Sequence, residues 1–192
     1  MILPIRKYGD PVLRQKGARI ETITPEIQKL IDDMFETMHA AAGIGLAAQQ
    51  VGRALQLTIL DVRAAKDRPS TLELYGQPAD VNSIMPLVLI NPAIQPVEPL
   101  VAGPEGCLSF PEMYADIARP GSVEVIAVDA SGKQVAFKAA GLLARAVQHE
   151  VDHLNGILFI DRMSAKDKTA LKPELDDLAA ETKAALKKGR GN

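Results

Sequence analysis

Tryptophan is absent, and aromatic residues make up only 4% of the 192. Aliphatic side chains must therefore fill whatever core forms. Cysteine is nearly absent: Cys107 is the only one. No internal disulfide framework is possible, and a lone thiol fits a reducing compartment. Long hydrophobic runs are also missing. The longest, residues 40–48, is broken by two glycines, whereas a membrane helix needs about 20 apolar residues. The opening Met1-Ile2-Leu3-Pro4-Ile5-Arg6-Lys7 lacks the apolar run of a secretory signal, so the sequence reads as that of a cytoplasmic protein with no membrane partner. Neither sign of charge dominates. With 22 Lys+Arg against 24 Asp+Glu the net charge is −2, which argues against nucleic-acid binding through a general basic surface and against a sequence-specific reader of that kind.

What remains is ordinary globular composition, 47% apolar and 24% charged, at the length of one domain with a tail. Thr24-Pro25-Glu26 is a strong helix start: a capping hydroxyl, a proline suited to the first turn, and an acid at the positive end. Ile27, Leu30, Ile31, Met34 and Met38 then recur at helical spacing, and Gly43 ends the run. Strand patterns follow over 55–62 and over 87–90 before Asn91-Pro92. Segments 122–128 and 134–139 flank Asp129-Ala130-Ser131-Gly132, which reads as a hairpin turn. Residues 63–86 are polar, contain three prolines, and read as a long surface loop. A second helix is expected over 141–155. The segment from Ser164 onward reads as helical and charged, with a break near Pro173. The expectation is an α+β single domain, a mostly antiparallel sheet packed around a central helix, with a C-terminal helix.

The strongest chemical signal is His149-Glu150-Val151-Asp152-His153. On a helix, residues four apart share a face, so both imidazoles can reach one metal ion. Glu150 then lies near the open coordination position, where it can take a proton from water. A shuffled chain of this composition would show the pattern about 0.3% of the time. A catalytic site needs a third protein ligand. Downstream the candidates are carboxylates, Asp161, Asp167 and Glu174 onward; upstream the candidate is Cys107 in Glu105-Gly106-Cys107-Leu108-Ser109. A thiolate is a good soft ligand, but most free cysteines are small buried hydrophobes. The third feature, Gly43-Ile44-Gly45-Leu46-Ala47-Ala48-Gln49-Gln50, has two glycines that suggest close backbone approach by a ligand or another element. No Lys-Ser/Thr pair follows it, so it is not a phosphate loop.

Together these three segments, the last extended to Gln148, resemble the signature motifs of the peptide deformylase family, in the family's order. The resemblance covers most of residues 1–163. The tail after Met163 and the loop 63–86, longer than in the shorter bacterial members, carry least of it. The resemblance implies a peptide deformylase-like catalytic domain over 1–163 and a charged helical tail over 164–192. It implies a metal-dependent hydrolase that removes the formyl group from the N-terminal formyl-methionine of nascent polypeptides. Cys107, His149 and His153 would hold the metal, Glu150 would be general base and then proton donor, and Gln50 with the Leu108 N–H would bind the formyl oxygen. Fe2+ is the implied ion, with Zn2+, Ni2+ or Co2+ able to occupy the site.

The chemistry of the residues agrees. Attack on the formyl carbon builds negative charge on oxygen, and a side-chain amide with a backbone N–H supplies donors where it develops. By position, Ile44, Leu142, Arg145 and Ala146 would line an apolar pocket for the methionine side chain, with Gly43 and Gly45 leaving room. Arg145 would contribute its stem and keep its charge outward; Leu142 and Ala146 could equally be core. His39, at a helix C-terminus, reads as structural or surface. Two rival functions are an HExxH protease cutting internal bonds, which leaves Cys107 and the glycine-glutamine segment unexplained, and a non-enzymatic module that docks on ribosomes or recognises formylated N-termini. Lys183, Lys187, Lys188 and Arg190 form a positive end suited to weak contact with ribosomal RNA.

Overall fold

Thr24 caps the first helix as its sequence predicts. In the computed structural model, which describes residues 1–97 and 99–189, its hydroxyl accepts from the Ile27 N–H at 3.4 Å and opens α1 (Pro25–Ala40). Ile31, Met34 and Met38 are fully buried along one stripe. The helix stops before Gly43: Ala42 already takes a positive φ of 52°, and the Gly43 N–H returns to the Met38 carbonyl at 2.9 Å.

Among the described residues nine strands follow: β1 (Gly45–Ala47), β2 (Leu57–Leu60), β3 (Ser70–Leu74), β4 (Gln77–Ala79), β5 (Leu87–Pro96), β6 (Leu100–Cys107), β7 (Phe110–Pro120), β8 (Ser122–Val128) and β9 (Gln134–Gly141). Seven of them form one antiparallel sheet in the order β1-β2-β5-β8-β9-β3-β4, and β6 and β7 form a separate antiparallel pair. The near-continuous apolar runs of β2 and β5 have a simple cause: both faces are covered. Leu57, Ile59, Val88 and Ile90 pack with α1, whereas Leu60, Leu87 and Leu89 pack with α2 (Leu142–Leu154) on the other side. The α+β fold around a metal-helix candidate is thus as expected.

Two expectations need correction, and one element is new. First, β5 does not end before Asn91-Pro92. It runs on to Pro96 through a register shift between Ile90 and Ala93, so Pro92, which has no N–H, falls where the ladder is already interrupted. Asn91 fills the irregularity by bonding both the N–H (2.9 Å) and the carbonyl (2.8 Å) of Ile20. Second, the segment 63–86 is not only a surface loop. It holds the hairpin β3–β4, closed by Tyr75 and Gly76 at positive φ, and β3 pairs with β9 from Ser70↔Gly141 to Glu73↔Lys138. Only Leu72 of β3 is fully buried, which is why the stretch looks like polar loop. Third, an element the sequence reading did not expect at all: the hairpin β6–β7 spans residues 100–120, although Gly103, Pro104 and Gly106 give β6 no strand signal.

Beyond a short 3-10 turn (Phe159–Asp161), the C-terminal part forms α3 (Ala165–Ala170) and α4 (Lys172–Gly189), separated at Leu171. It is docked on the rest of the chain. Leu175 is buried with Leu13, Phe110, Phe159 and Met163, and a Cβ on Gly9 would lie 2.8 Å from the Ala179 carbonyl. Lys183, Lys187 and Lys188 are exposed on α4; Arg190 lies outside the described residues. Among the described residues no helix is long and apolar enough to cross a membrane.

Candidate metal centre and active site

The α2 helix begins at Gly141, whose φ of 70° and lack of a side chain let Pro69 approach: a Cβ there would stand 2.3 Å from the Pro69 oxygen. One helical turn separates His149 from His153, and their ring centroids are 5.1 Å apart. The β6–β7 hairpin lays its turn against this face of α2 and delivers Cys107. The ligating atoms of Cys107, His149 and His153 all lie within 4.8 Å of one another, and Cys107 Sγ is 3.3 Å from His153 Nε2. Among the described residues the downstream carboxylates do not join this group. Asp161 is engaged by Arg14, Asp167 by Ser164, and Glu174 is exposed at the start of α4.

Glu105, two residues before the cysteine, orders the cluster from behind. Its Oε2 is 3.0 Å from His149 Nδ1, which leaves Nε2 as the ring's free donor of electrons. Arg119 grips the same carboxylate with Nε at 2.6 Å and Nη2 at 2.9 Å, and reaches Asp152 with Nη1 at 2.7 Å. Arg162 closes the chain on Asp152 at 2.5 Å. Such forked, charge-assisted pairs fix geometry as well as energy, and removing one partner of a buried pair typically costs about 3–5 kcal/mol. Burial would raise the pKa of Glu105, but the bonds from His149 and Arg119 outweigh it and hold the carboxyl at about 2. Burial also lowers both imidazoles. At His149 the contacts with Cys107 and Glu105 prevail and the pKa rises well above the usual value; His153, facing the charges of His149 and Arg119, stays well below it.

Glu150 is buried beside the cluster, and burial pushes its pKa up to about 7. The two glycines ahead of it have definite tasks. A Cβ on Gly45 would stand 2.4 Å from Glu150 Oε1, and one on Gly43 would stand 2.8 Å from the Leu108 side chain. Gln50 sits in a 3-10 turn (Ala48–Val51). Its Oε1 accepts from the Ala47 N–H at 2.8 Å, which turns Nε2 toward Ser109 Oγ (3.3 Å) and Cys107 Sγ (3.5 Å).

A cleft of about 690 Å³ joins these groups. Gln50, Cys107, Leu108, His149 and Glu150 line it together with Gly43, Ile44, Gly45, Leu142, Arg145 and Ala146. The structure therefore gathers the residues singled out from the sequence, His153 lying just behind the cleft against Cys107. One detail is corrected: Arg145 does not turn its charge outward. Its guanidinium is bound by the carbonyls of Val101 (2.7 Å), Gly103 (3.3 Å) and Ile117 (2.8 Å) and by Glu105 (2.8 Å), because the hairpin covers the site where solvent was expected. His39 lies apart, 3.3 Å from Asp61. Sequence reading missed Arg119, Arg162 and Lys7, and gave Glu105 and Asp152 no role. The last two stand inside the motifs and could have been noticed; Arg119 has partners 14 and 33 positions away, a separation no local pattern reveals.

A sulfur and two imidazole nitrogens converging at this distance fit a divalent transition metal. One buried polar atom at the cleft, Glu150 Oε2, has no protein partner, as expected of a site built to bind something further. Cys107 and His149 of this group line the cleft together with the buried Glu150.

Comparison with known proteins gives one answer. The family model for polypeptide deformylase matches residues 2–169. The peptide deformylase of Opitutus terrae is 45% identical over 97% of this chain and 98% of its own length, and that of Methylacidiphilum infernorum is 45% identical over 93% of each. Among solved structures, peptide deformylase 1B of Arabidopsis thaliana superposes with a TM-score of 0.80 at 38% identity, covering 97% of this chain and 94% of that one. The Synechococcus elongatus enzyme, solved with actinonin, gives 0.74 at 39% identity over 94% and 85%. With the family model matching residues 2–169 and relatives 45% identical over nearly the whole chain, the chain belongs to the polypeptide deformylase family.

Proposed function

We propose that this chain hydrolyses the formyl group of N-terminal formyl-methionine on nascent polypeptides and releases formate. The observation that carries the reading is the convergence of Cys107, His149 and His153 within 4.8 Å at a cleft that also holds Glu150 and Gln50. Those three residues would hold one divalent ion, Fe2+ in the cell, with Zn2+, Ni2+ or Co2+ able to replace it. When bound, the ion acts as a Lewis acid and makes water nucleophilic at neutral pH.

The chain's own residues supply the rest. Glu150, buried against Gly45, takes the proton from the attacking water as its oxygen bonds to the formyl carbon. Gln50 Nε2 and the Leu108 N–H donate to the formyl oxygen as its charge grows. When the carbon–nitrogen bond breaks, Glu150 returns the proton to the departing amine, and formate and a free N-terminus result. Ile44, Leu142, Ala146 and the stem of Arg145 receive the methionine side chain, and Gly43 and Gly45 keep the approach open. Residues 1–163 carry this chemistry; after them α3 and α4 bear lysines that offer a weak, salt-dependent contact to ribosomal RNA. The setting is the cytoplasm, where formylated chains emerge.

The test is formate release from formyl-Met-Ala beside cleavage of a fluorogenic internal peptide. Formate without internal cleavage is expected. Internal cleavage alone would favour a protease, and binding of the formyl peptide without turnover would favour a non-enzymatic module.

A further inference from the structure

The N-terminal segment ahead of the first helix runs directly behind the two groups assigned to the formyl oxygen. The Arg6 N–H donates to the Gln50 carbonyl at 2.7 Å, and the Tyr8 N–H donates to the Ser109 carbonyl at 2.9 Å. Between them, the half-buried Lys7 reaches the Leu108 carbonyl with Nζ at 2.7 Å and borders the cleft. Tyr8 also stacks on Phe110, centroids 4.9 Å apart. Residues 6–8 thus strap the Gln50 turn to the Cys107–Leu108–Ser109–Phe110 turn, which lies between strands and shows a register shift at Gly106/Cys107.

We infer that Lys7 is a positioning residue for this reaction, its ammonium fixing the Leu108 carbonyl so that the neighbouring Leu108 N–H stays aimed at the formyl oxygen. The inference rests on the deformylase reading above. The argument is geometric. A donor is useful only if it stands at the place where charge will develop, without having to reorganise. The Leu108 N–H sits in a turn of few residues, so its direction depends on how the flanking carbonyls are tethered. Two such tethers come from the N-terminal segment: the Tyr8 N–H on the Ser109 carbonyl, a backbone bond, and a charge-assisted side-chain bond on the Leu108 carbonyl that this chain supplies through Lys7. Losing it should leave substrate binding in the methionine pocket largely intact, because the ammonium is spent on the Leu108 carbonyl and the pocket is assigned to other side chains, Ile44, Leu142 and Ala146. Misplacing a reacting contact is felt in turnover instead.

The experiment compares wild type, Lys7→Met and Lys7→Arg, each loaded with nickel, by formate release, metal content and thermal unfolding. Lys7→Met should lower kcat roughly tenfold, with KM and metal content within about twofold of wild type. Lys7→Arg, which keeps a cation that can reach the carbonyl, should recover kcat to within about threefold. A Lys7→Met kcat equal to wild type overturns the inference. So does a loss matched by loss of metal, since the residue would then act through the ligands. If Lys7→Met does not fold, Lys7→Arg decides: near-normal kcat supports the tether, and a tenfold fall overturns it. If wild type turns over, only the role of Lys7 is at stake; if wild type releases no formate, the deformylase reading fails and takes this inference with it.

Discussion

Ser70 Oγ accepts a hydrogen bond from the Leu143 N–H at 3.0 Å. Beside it, the Pro69 carbonyl accepts from the Leu142 N–H at 3.1 Å. The first N–H groups of a helix have no partners within it, and Gly141 at the cap position has no side chain to offer. The segment 63–86 therefore provides the cap for the helix that carries both histidines, from a strand on the far side of β9.

Ser70→Ala should lower stability by about 1 kcal/mol, the usual value of a lost capping side chain. Denaturant unfolding measures it. Formate release per bound metal by the folded fraction should stay unchanged, because the Pro69 carbonyl and the β3–β9 ladder still hold the helix. A Ser70→Ala protein with unaltered unfolding would show that the backbone contacts suffice.

Elements with strong local periodicity were legible in the sequence: α1 from its cap and stripe, α2 from its motif, and the β8–β9 hairpin from its turn. The histidine pair was legible because His149 and His153 share a helix face; Cys107 was only one candidate for the third ligand until the family resemblance singled it out, and its approach to them follows from the β6–β7 hairpin. What escaped lies in long-range pairing. β3 is short and mostly exposed, so its partner β9 decides that it is a strand. β6 reads as glycine and proline because it is half of an open hairpin rather than part of a packed sheet. The outward charge expected of Arg145 followed from the same omission: without a hairpin over the site, its charge had only solvent to face. Even Gly45, noticed as a site of close approach, revealed what approaches it only once Glu150 was placed in space.

That contact yields a sharper test of the base than removing it. Glu150→Ala should retain metal and lose about 10²–10⁴-fold in turnover, the usual range for general base catalysis. Cys107→Ala should lose metal instead. Gly45→Ala keeps every reacting group, yet its new methyl would stand 2.4 Å from Glu150 Oε1, so the carboxylate must move. The expected phenotype resembles Glu150→Ala in kind: full metal content, reduced kcat. Near-normal formate release from both variants would mean that another group takes the proton.

Asp61, at the end of β2, gives the acid limb of stability a local cause. Arg63 binds it with Nε at 2.8 Å and Nη2 at 2.6 Å, and His39 adds a contact; against the opposing effect of burial these hold its pKa at about 2. An unfolded aspartate titrates near about 3.9. Because the folded value is the lower one, the carboxylate stabilises the fold fully above about pH 4, and that contribution is lost as pH falls toward about 2. Asp61→Asn should therefore be less stable at neutral pH and show a shallower loss between about pH 4 and 2. Urea midpoints across that window check it; parallel curves for the two proteins would assign the acid limb elsewhere.

The tail can be tested without removing it. Deleting residues after Met163 would strip Leu175 from its contacts with Leu13, Phe110 and Phe159, so loss of function could come from an exposed core. Substituting Lys183, Lys187 and Lys188 with glutamine leaves those contacts in place, because all three lysines are exposed on α4. If they meet ribosomal RNA, each phosphate neutralised releases counterions, and binding weakens with salt by a slope of about 0.7–0.9 per contact. The triple variant should co-sediment with ribosomes less than wild type at low salt, and its remaining binding should depend less steeply on salt. Formate release from a short formyl-Met peptide should be unchanged, since the lysines stand apart from the cleft residues. Equal co-sedimentation of both proteins would leave α4 as a packing helix with a solvated end.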